Sequence, residues 1–289
     1  MVRQPTGAGG LKWALWMAAV LLAALTLAAC GDDDDDGGGG GDNGGGGGGQ
    51  AAELDLYKEG QLTVGAEFPV KGFIELPYDD PKGFEVDFAD AIAKELGVPK
   101  VQWVPTPFAG LFSPARKPWD MSIQEVTITD ERAQVVDFSI PYFDANQGFL
   151  IAKGGPAEGV QSIAEMKDLL FGFQAATTGG AYIQDEIQPD EQPREFTTLP
   201  AATQALANGQ IDAFLMDVAI GSQIVEERGD QIAMPGQFIT DEQYGVVFEK
   251  DNPLRTEVNK AIRALKADGT LERLQAKWFP GTEDLPVLE

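Results

Sequence analysis

Two patterns of apolar residues alternate along residues 62–278: short continuous runs, and longer stretches in which apolar residues recur at helical spacing. The run LTVGA (62–66) is typical of a buried strand, and FEVDFADAIAKELG (84–97) of an amphipathic helix that ends at Gly97. Further strands are predicted at 101–104, 121–124, 171–174 and 212–216. Further helices are predicted at 178–187, 200–208, 218–228, 254–268 and 270–278. This alternation predicts an α/β fold.

Three of the predicted strands are followed directly by a carboxylate. LTVGA runs into Glu67, MSIQ (121–124) into Glu125, and DAFLM (212–216) into Asp217. Open α/β sheets bind ligands outside the carboxyl ends of their strands. Because Arg132 follows Glu125 closely, the sequence predicts a site for a small ligand that carries both signs of charge.

The stretch IQEVTITDER (123–132) places that arginine in an unusual position. Thr129 has the character of a helix N-cap, and Asp130 and Glu131 complement the positive end of a helix dipole. Arg132 in the first turn opposes that dipole, so we expect it to meet a negative group. The residues alone leave open whether that group is a ligand or a neighbouring acidic side chain.

Charge and composition exclude several classes of function. The 289 residues include 46 Asp and Glu against 21 Lys and Arg, so the formal net charge of −25 disfavours nucleic-acid binding. Histidine is absent and Cys30 is the sole cysteine, which excludes disulfides within the chain and cysteine-based zinc sites. We therefore expect neither a metal site nor a cofactor.

The N-terminal residues are typical of a targeting segment. Arg3 and Lys12 precede the apolar run 13–29, and the ending Leu27-Ala28-Ala29-Cys30 resembles the lipobox of bacterial lipoproteins. The resemblance implies that residues 1–29 are a signal peptide and that Cys30 is lipidated; an uncleaved membrane helix is the alternative. Residues 30–60 then form a tether, whose Asp- and Gly-rich part (31–50) has an r.m.s. reach of about 25 Å.

Six segments carry a resemblance to a known family: LTVG (62–65), GFEVDFADAIAKELG (83–97), VTITDERAQVVDFSIPYF (126–143), ALANGQIDAFLMD (205–217), YGVVFEKDNPL (244–254) and AIRALKADGTLERLQAKWF (261–279). In this order they resemble the polar amino-acid ABC transporter binding proteins, the bacterial extracellular solute-binding proteins of family 3. The resemblance implies a type II periplasmic-binding-protein (Venus-flytrap) fold with two crossover hinge strands, near 146–153 and 243–248. Lobe 1 is expected at 61–146 plus 245–289, and lobe 2 at 147–244.

The resemblance also implies roles for individual residues. Arg132 matches the arginine that holds the ligand carboxylate, and Asp217 the acid that holds its α-ammonium, although Asp217 could also cap the helix that follows. Thr127 matches a ligand-binding hydroxyl. Thr178 matches a threonine at a helix start facing the carboxylate, where it could equally be the cap.

Aromatic and acidic positions bear on ligand identity. Phe73 and Phe108 match positions that sandwich the ligand in relatives, although such aromatics are often core. Glu67 matches an acid that contacts the ligand side chain, and Glu125 stands where relatives usually have a small residue. If Glu125 faces the cleft rather than pointing away, these acids favour a basic amino acid such as lysine, arginine or ornithine.

The function implied by the resemblance is a non-enzymatic, monomeric receptor. It would capture a free amino acid by hinge closure and deliver it to an ABC permease from an extracytoplasmic, lipid-anchored position. Two alternatives stay open at this stage. One is an enzyme on the same fold, such as a dehydratase, and the other is a sensing module for a membrane signalling partner.

Overall fold

The computed structural model describes residues 54–279 and 285–289, all within the compact unit Gly49–Glu289. The predicted signal peptide, the lipidation site Cys30 and most of the predicted tether lie outside the described residues. Within the described part, no helix has both the length and the apolar character needed to cross a membrane.

The strands of the first of two five-stranded sheets are β1 (Leu62–Ala66), β2 (Val101–Pro105), β3 (Met121–Ser122), β4 (Asp137–Phe138) and β10 (Val247–Phe248). Their order across the sheet is β2-β1-β3-β10-β4. β1 runs parallel to β2 and β3, whereas β10 pairs antiparallel with β3 and β4.

Three helices cover the first sheet, at Phe84–Glu95 (α1), Leu254–Ala267 (α5) and Thr270–Trp278 (α6). Each is amphipathic, so one face enters the core while the other faces water. Gly269 separates α5 from α6 with a φ of 73°, a left-handed conformation that glycine adopts without strain. The predicted boundary at Asp268-Gly269 is therefore confirmed.

The strands of the second sheet are β5 (Phe143–Ala152), β6 (Phe171–Gln174), β7 (Arg194–Phe196), β8 (Ala213–Asp217) and β9 (Ile232–Tyr244). Their order across the sheet is β7-β6-β8-β5-β9. Its helices are α2 (Thr178–Tyr182), which continues as a π-helical turn over Ile183–Ile187, α3 (Leu199–Ala207) and α4 (Val218–Arg228). The predicted α/β architecture is thus confirmed as two sheets with helices, arranged in two lobes.

The long strands β5 and β9 pair with each other and connect the two sheets. At their lobe 1 ends, Tyr244 forms an isolated bridge with Thr127, and the Tyr142 N–H donates to the Tyr244 carbonyl at 2.9 Å.

The last five residues depart from the expected lobe assignment, which placed all of 245–289 in lobe 1. The Gln237 N–H of β9 donates to the Pro286 carbonyl at 2.8 Å, and the Ile163 N–H donates to the Glu289 carbonyl at 2.9 Å. Leu288 is buried in the core cluster of lobe 2. Residues 285–289 therefore pack on lobe 2, because burying Leu288 there removes its side chain from water.

Candidate functional site

A cavity of about 40 Å³ lies between the two lobes. Its walls come mainly from the carboxyl ends of strands and from the loops and helix starts that follow them, as the strand-end carboxylates predict. The lining residues are Glu67, Val70, Phe108, Gln124, Glu125, Thr127, Arg132, Gln174, Thr177, Thr178, Leu199, Met216, Asp217 and Ile220. Every residue predicted for the ligand site is among them except Phe73.

Arg132 begins a single 3₁₀ turn, Arg132–Gln134, in place of the longer helix that its sequence context suggests. Thr129 does act at the start of this turn, because its hydroxyl accepts the Arg132 N–H at 3.2 Å. The turn ends at once and leads into the short strand β4. The arginine side chain is therefore held at the edge of the first sheet, facing the cavity.

The guanidinium of Arg132 is buried and makes bonds to both lobes. Its Nη1 donates to the Thr127 carbonyl at 2.7 Å, and its Nη2 donates to the Ala176 carbonyl of lobe 2 at 2.8 Å. The rings of Phe108 and Phe112 lie 5.6 Å and 5.0 Å from its central carbon, which is cation–π distance. These contacts orient the guanidinium, and its remaining N–H groups stay available to an anion.

Asp217 ends β8 at the base of the cavity. It stands in the N-cap position of α4, but its carboxylate makes no capping bond. Instead, one oxygen accepts from Gln147 Nε2 at 2.6 Å and the other accepts from the Tyr244 hydroxyl. Burial and the nearby Glu242 carboxylate raise the pKa of Asp217 to about 7, partly offset by Tyr244, Gln147 and Arg132. A ligand ammonium would lower that pKa by favouring the ionised form.

The two predicted hydroxyls, from Thr127 and Thr178, meet at the back of the cleft. The helix cap of α2 is Thr177, whose hydroxyl accepts the Gly180 N–H at 3.2 Å, so Thr178 is not the cap. The Thr178 hydroxyl donates to Glu242 at 2.6 Å, and the Thr127 hydroxyl donates to the same carboxylate oxygen at 2.8 Å.

Glu67 and Phe108 form the opposite side of the cavity. One Glu67 oxygen accepts the Phe108 N–H at 2.7 Å, and the other accepts from Gln174 Nε2 of lobe 2 at 3.2 Å. Phe108 lines the cavity as predicted, with its ring also facing Arg132. The Glu67–Gln174 bond is a second direct contact between the lobes near the cavity.

Glu125 lines the cavity as a buried carboxyl group, with one oxygen that has no hydrogen-bond partner. Its φ of 52° is a left-handed conformation that non-glycine residues rarely adopt. Burial, together with the carboxylates of Glu85, Asp217 and Glu67, raises the pKa of Glu125 well above its ordinary value. The site therefore holds a carboxyl group that lacks a cation among the described residues.

Phe73 requires a correction, because it does not line the cavity. Its side chain is fully buried and its ring packs against Phe143, Tyr244 and Phe279, with centroids 4.5 to 6.2 Å apart. Phe84 belongs to the same group of rings. Burial of apolar area in this aromatic core outweighs any gain from a place in the cavity wall.

The sequence analysis did not predict seven of the lining residues, such as Gln174 and Thr177, and it also missed four residues close to the cavity: Glu85, Phe112, Gln147 and Glu242. Glu242 lies two residues before Tyr244, so the period of two along a strand places both on one face of β9, but the sequence alone does not show that this face meets the cavity. Glu85 carries no signal either, because an acid in a first helical turn is the ordinary complement to the helix dipole. Its Oε1 accepts the Tyr142 hydroxyl at 2.5 Å and the Glu125 N–H at 3.0 Å.

Charge in the cavity is unequal. Among the described lining residues, Glu67, Glu125 and Asp217 are acidic and Arg132 is the one basic side chain. No cluster of side chains in the described part has the composition of a metal site. The lining therefore presents both signs of charge, with more acidic than basic side chains.

Comparisons with known proteins identify the family of the chain. The family model for bacterial extracellular solute-binding proteins, family 3, matches residues 62–281. The L-cystine-binding protein of Escherichia coli is 33% identical over 226 residues, which cover 77% of this chain and 84% of the relative. The ABC transporter glutamine-binding protein of Bacillus subtilis is 32% identical over 225 residues, which cover 74% of this chain and 76% of the relative.

Solved structures give the same result. An ancestral arginine-binding protein bound to glutamine has a TM-score of 0.70 at 32% identity, covering 77% of this chain and 99% of that one. An ancestral amino acid-binding protein, described as a precursor of cyclohexadienyl dehydratase, has a TM-score of 0.67 at 32% identity. The match covers 76% of this chain and 95% of that one. The named relatives are binding proteins, and one of them is described as the precursor of an enzyme.

Proposed function

The chain belongs to the bacterial extracellular solute-binding proteins, family 3, and from that premise we propose that it binds a free amino acid between its lobes for an ABC permease. The observation that carries the proposal is that Arg132 and Asp217 line one cavity from opposite lobes. A guanidinium can form paired, charge-assisted bonds to the ligand carboxylate, and a buried carboxylate can accept its α-ammonium.

Binding by lobe closure is supported by the contacts that already join the lobes. Arg132 reaches the Ala176 carbonyl, and Gln174 reaches Glu67, across the cleft. At the mouth of the cleft, Lys71 pairs with Glu226 at 3.1 Å. A ligand that adds further contacts only in the closed form would shift the population towards it.

The amino acid that we propose is basic, such as lysine, arginine or ornithine. Glu67 and Glu125 line the cavity in addition to Asp217, and Glu125 lacks a cationic partner among the described residues. A buried carboxyl group is costly unless it is protonated or paired. A second ammonium or a guanidinium on the ligand would supply that partner.

The proposal includes a non-enzymatic role, a monomeric state and attachment to the outer face of the cytoplasmic membrane through Cys30. Two acyl chains on that cysteine suffice for a stable anchor, and the tether would hold the binding unit just off the surface. Mass spectrometry of the chain isolated from the membrane fraction tests the anchor, because an unmodified Cys30 or a retained segment 1–29 contradicts it.

Replacing Asp217 by asparagine tests the binding mode. At pH 8 the variant lacks the charge for the ligand ammonium, so glutamine and arginine should each bind at least about tenfold more weakly. Titration calorimetry measures the loss. Asp185→Asn, at an exposed position of lobe 2, is the matched control and should keep wild-type affinity. Equal affinities for the two variants would contradict the proposal.

A further inference from the structure

Glu242 is brought to the cleft by an irregularity in β9. Ala145 pairs with Glu242 and Gln147 pairs with Phe238, so β9 advances four residues while β5 advances two. Asp241, within this bulge, has a φ of 52°. The added residues bend the strand and re-aim the side chain that follows.

The bulge is held by Asn146 of the neighbouring crossover strand. The side-chain oxygen of Asn146 accepts the Thr240 N–H at 3.0 Å and the Asp241 N–H at 3.3 Å. These bonds fix the backbone directly before Glu242. The position of the Glu242 carboxylate is therefore set by the bulge in β9 and by the two bonds to Asn146.

The carboxylate of Glu242 joins a hydroxyl from each lobe. Its Oε2 accepts from Thr127 of lobe 1 at 2.8 Å and from Thr178 of lobe 2 at 2.6 Å. Its Oε1 accepts from Gln147 Nε2 at 3.1 Å, and the same amide nitrogen also donates to Asp217. Both hydroxyls belong to cavity-lining residues.

A threonine hydroxyl has one proton to donate. While Thr127 and Thr178 donate to Glu242, neither can donate to a ligand carboxylate. Arg132 also donates one N–H to the Thr127 carbonyl and one to the Ala176 carbonyl. Much of the donor capacity that would hold an anion is therefore already used within the protein.

We propose that Glu242 is a specificity-determining residue whose carboxylate occupies the hydroxyls of Thr127 and Thr178 in place of a ligand carboxylate. A ligand that uses these hydroxyls must displace it, and its negative charge opposes that ligand's anion. The inference rests on the proposed function, since it assumes that the ligand carboxylate binds beside Arg132.

The test compares ligands with and without a carboxylate on the full chain. L-Arginine and L-glutamine carry the α-carboxylate, whereas agmatine is arginine without it. Because the Glu242→Gln variant loses the charge and weakens the acceptor, its affinities for arginine and glutamine should rise about tenfold relative to agmatine. The glutamine side chain keeps the size of the residue, and thermal unfolding verifies the fold.

Glu131→Gln is the matched control. Glu131 is exposed and its charge also acts on Arg132, but its side chain makes no bond to either hydroxyl. This variant should leave the preference for arginine over agmatine unchanged. A rise in preference equal to that of Glu242→Gln would assign the effect to general charge and overturn the inference.

A second background isolates the hydroxyls. In Thr178→Val, one of the two donors is absent, so adding Glu242→Gln should produce a clearly smaller gain than in the wild type. An unchanged gain would overturn the inference, as would a Glu242→Gln variant with wild-type preference. If neither the wild type nor any variant binds arginine, glutamine or agmatine, both the proposed function and the inference about Glu242 fail. If the wild type binds these ligands but Glu242→Gln does not change its preference, only the inference about Glu242 fails.

Discussion

At the scale of single residues, the site is dominated by carboxyl groups kept away from water. Glu85 is fully buried, and burial raises its pKa from the ordinary value of 4.5 to about 7, although Tyr142 and the Glu125 N–H act in the opposite direction. Its Oε2 has no partner in the described structure. Such a group favours the protonated, neutral form in the folded protein.

This arrangement predicts a specific pH dependence of stability. The folded-state pKa of Glu85 lies above its unfolded value, so its favourable contribution is complete below pH 4.5 and is lost as pH rises through about 7. Glu85→Gln keeps an acceptor for Tyr142 but cannot ionise. The variant should match the wild type at pH 5 and be more stable at pH 8, by up to about 3 kcal/mol.

Thermal and denaturant unfolding across that pH range measure the difference. Glu95→Gln is the matched control, because Glu95 is an exposed acid on the same helix, α1. This variant should not reproduce the gain in stability at pH 8 that is expected of Glu85→Gln. A Glu85→Gln variant whose stability follows the wild-type curve at every pH would show that burial does not raise the pKa of Glu85.

At the scale of elements, close packing sets the position of α2, whose first residue lines the cavity. A Cβ added at Gly179 would lie 2.8 Å from Gln147 Oε1 and 2.9 Å from the Leu215 carbonyl. The carbonyl belongs to the backbone of β8 and cannot rotate away. The absence of a side chain at Gly179 therefore lets the helix approach the sheet closely.

Gly179→Ala should destabilise the protein by about 1–3 kcal/mol and weaken glutamine binding, because α2 must move away from β8. Gly110→Ala is the control, since a Cβ there meets no atom within 4 Å. Thermal unfolding and calorimetry on both variants measure the two effects. Equal stability and affinity of the two variants would show that α2 does not need this contact.

The sequence was a good guide to elements whose pattern is local. α1, α5 and α6 follow from apolar spacing and from glycine at their ends, and the strand-end positions of Glu67 and Asp217 follow from runs of apolar residues. Side-chain direction depends on the whole fold and was less predictable. Thr177 rather than Thr178 caps α2, and Phe73 lies in the aromatic core.

Glu242 marks the limit of the sequence analysis. Its neighbours in ITDEQYG show no feature that separates a hinge bulge from an ordinary polar strand. The bulge appears only when β9 pairs with β5, and the two threonines it joins are far apart in the chain. Contacts formed between distant segments leave little trace in local periodicity.

At the scale of the whole molecule, two lobes close over a cavity whose charge does not balance internally. The crossover strands β5 and β9, the Lys71–Glu226 pair and the Arg132 bond to Ala176 all join the lobes in this conformation. The exposed ion pair at the mouth contributes at most about 1 kcal/mol. We therefore expect a ligand between Arg132 and Asp217 to add to these contacts and to favour the closed form.

The most direct test is titration calorimetry of the unit Gly49–Glu289 against the twenty amino acids and ornithine, after unfolding and refolding to remove bound ligand. We predict one-to-one binding, with lysine, arginine or ornithine the tightest because Glu67 and Glu125 face the cavity. Tightest binding of a neutral amino acid would keep the receptor and contradict its basic specificity. No binding by any member of the panel would contradict the central claim that Arg132 and Asp217 hold an amino acid.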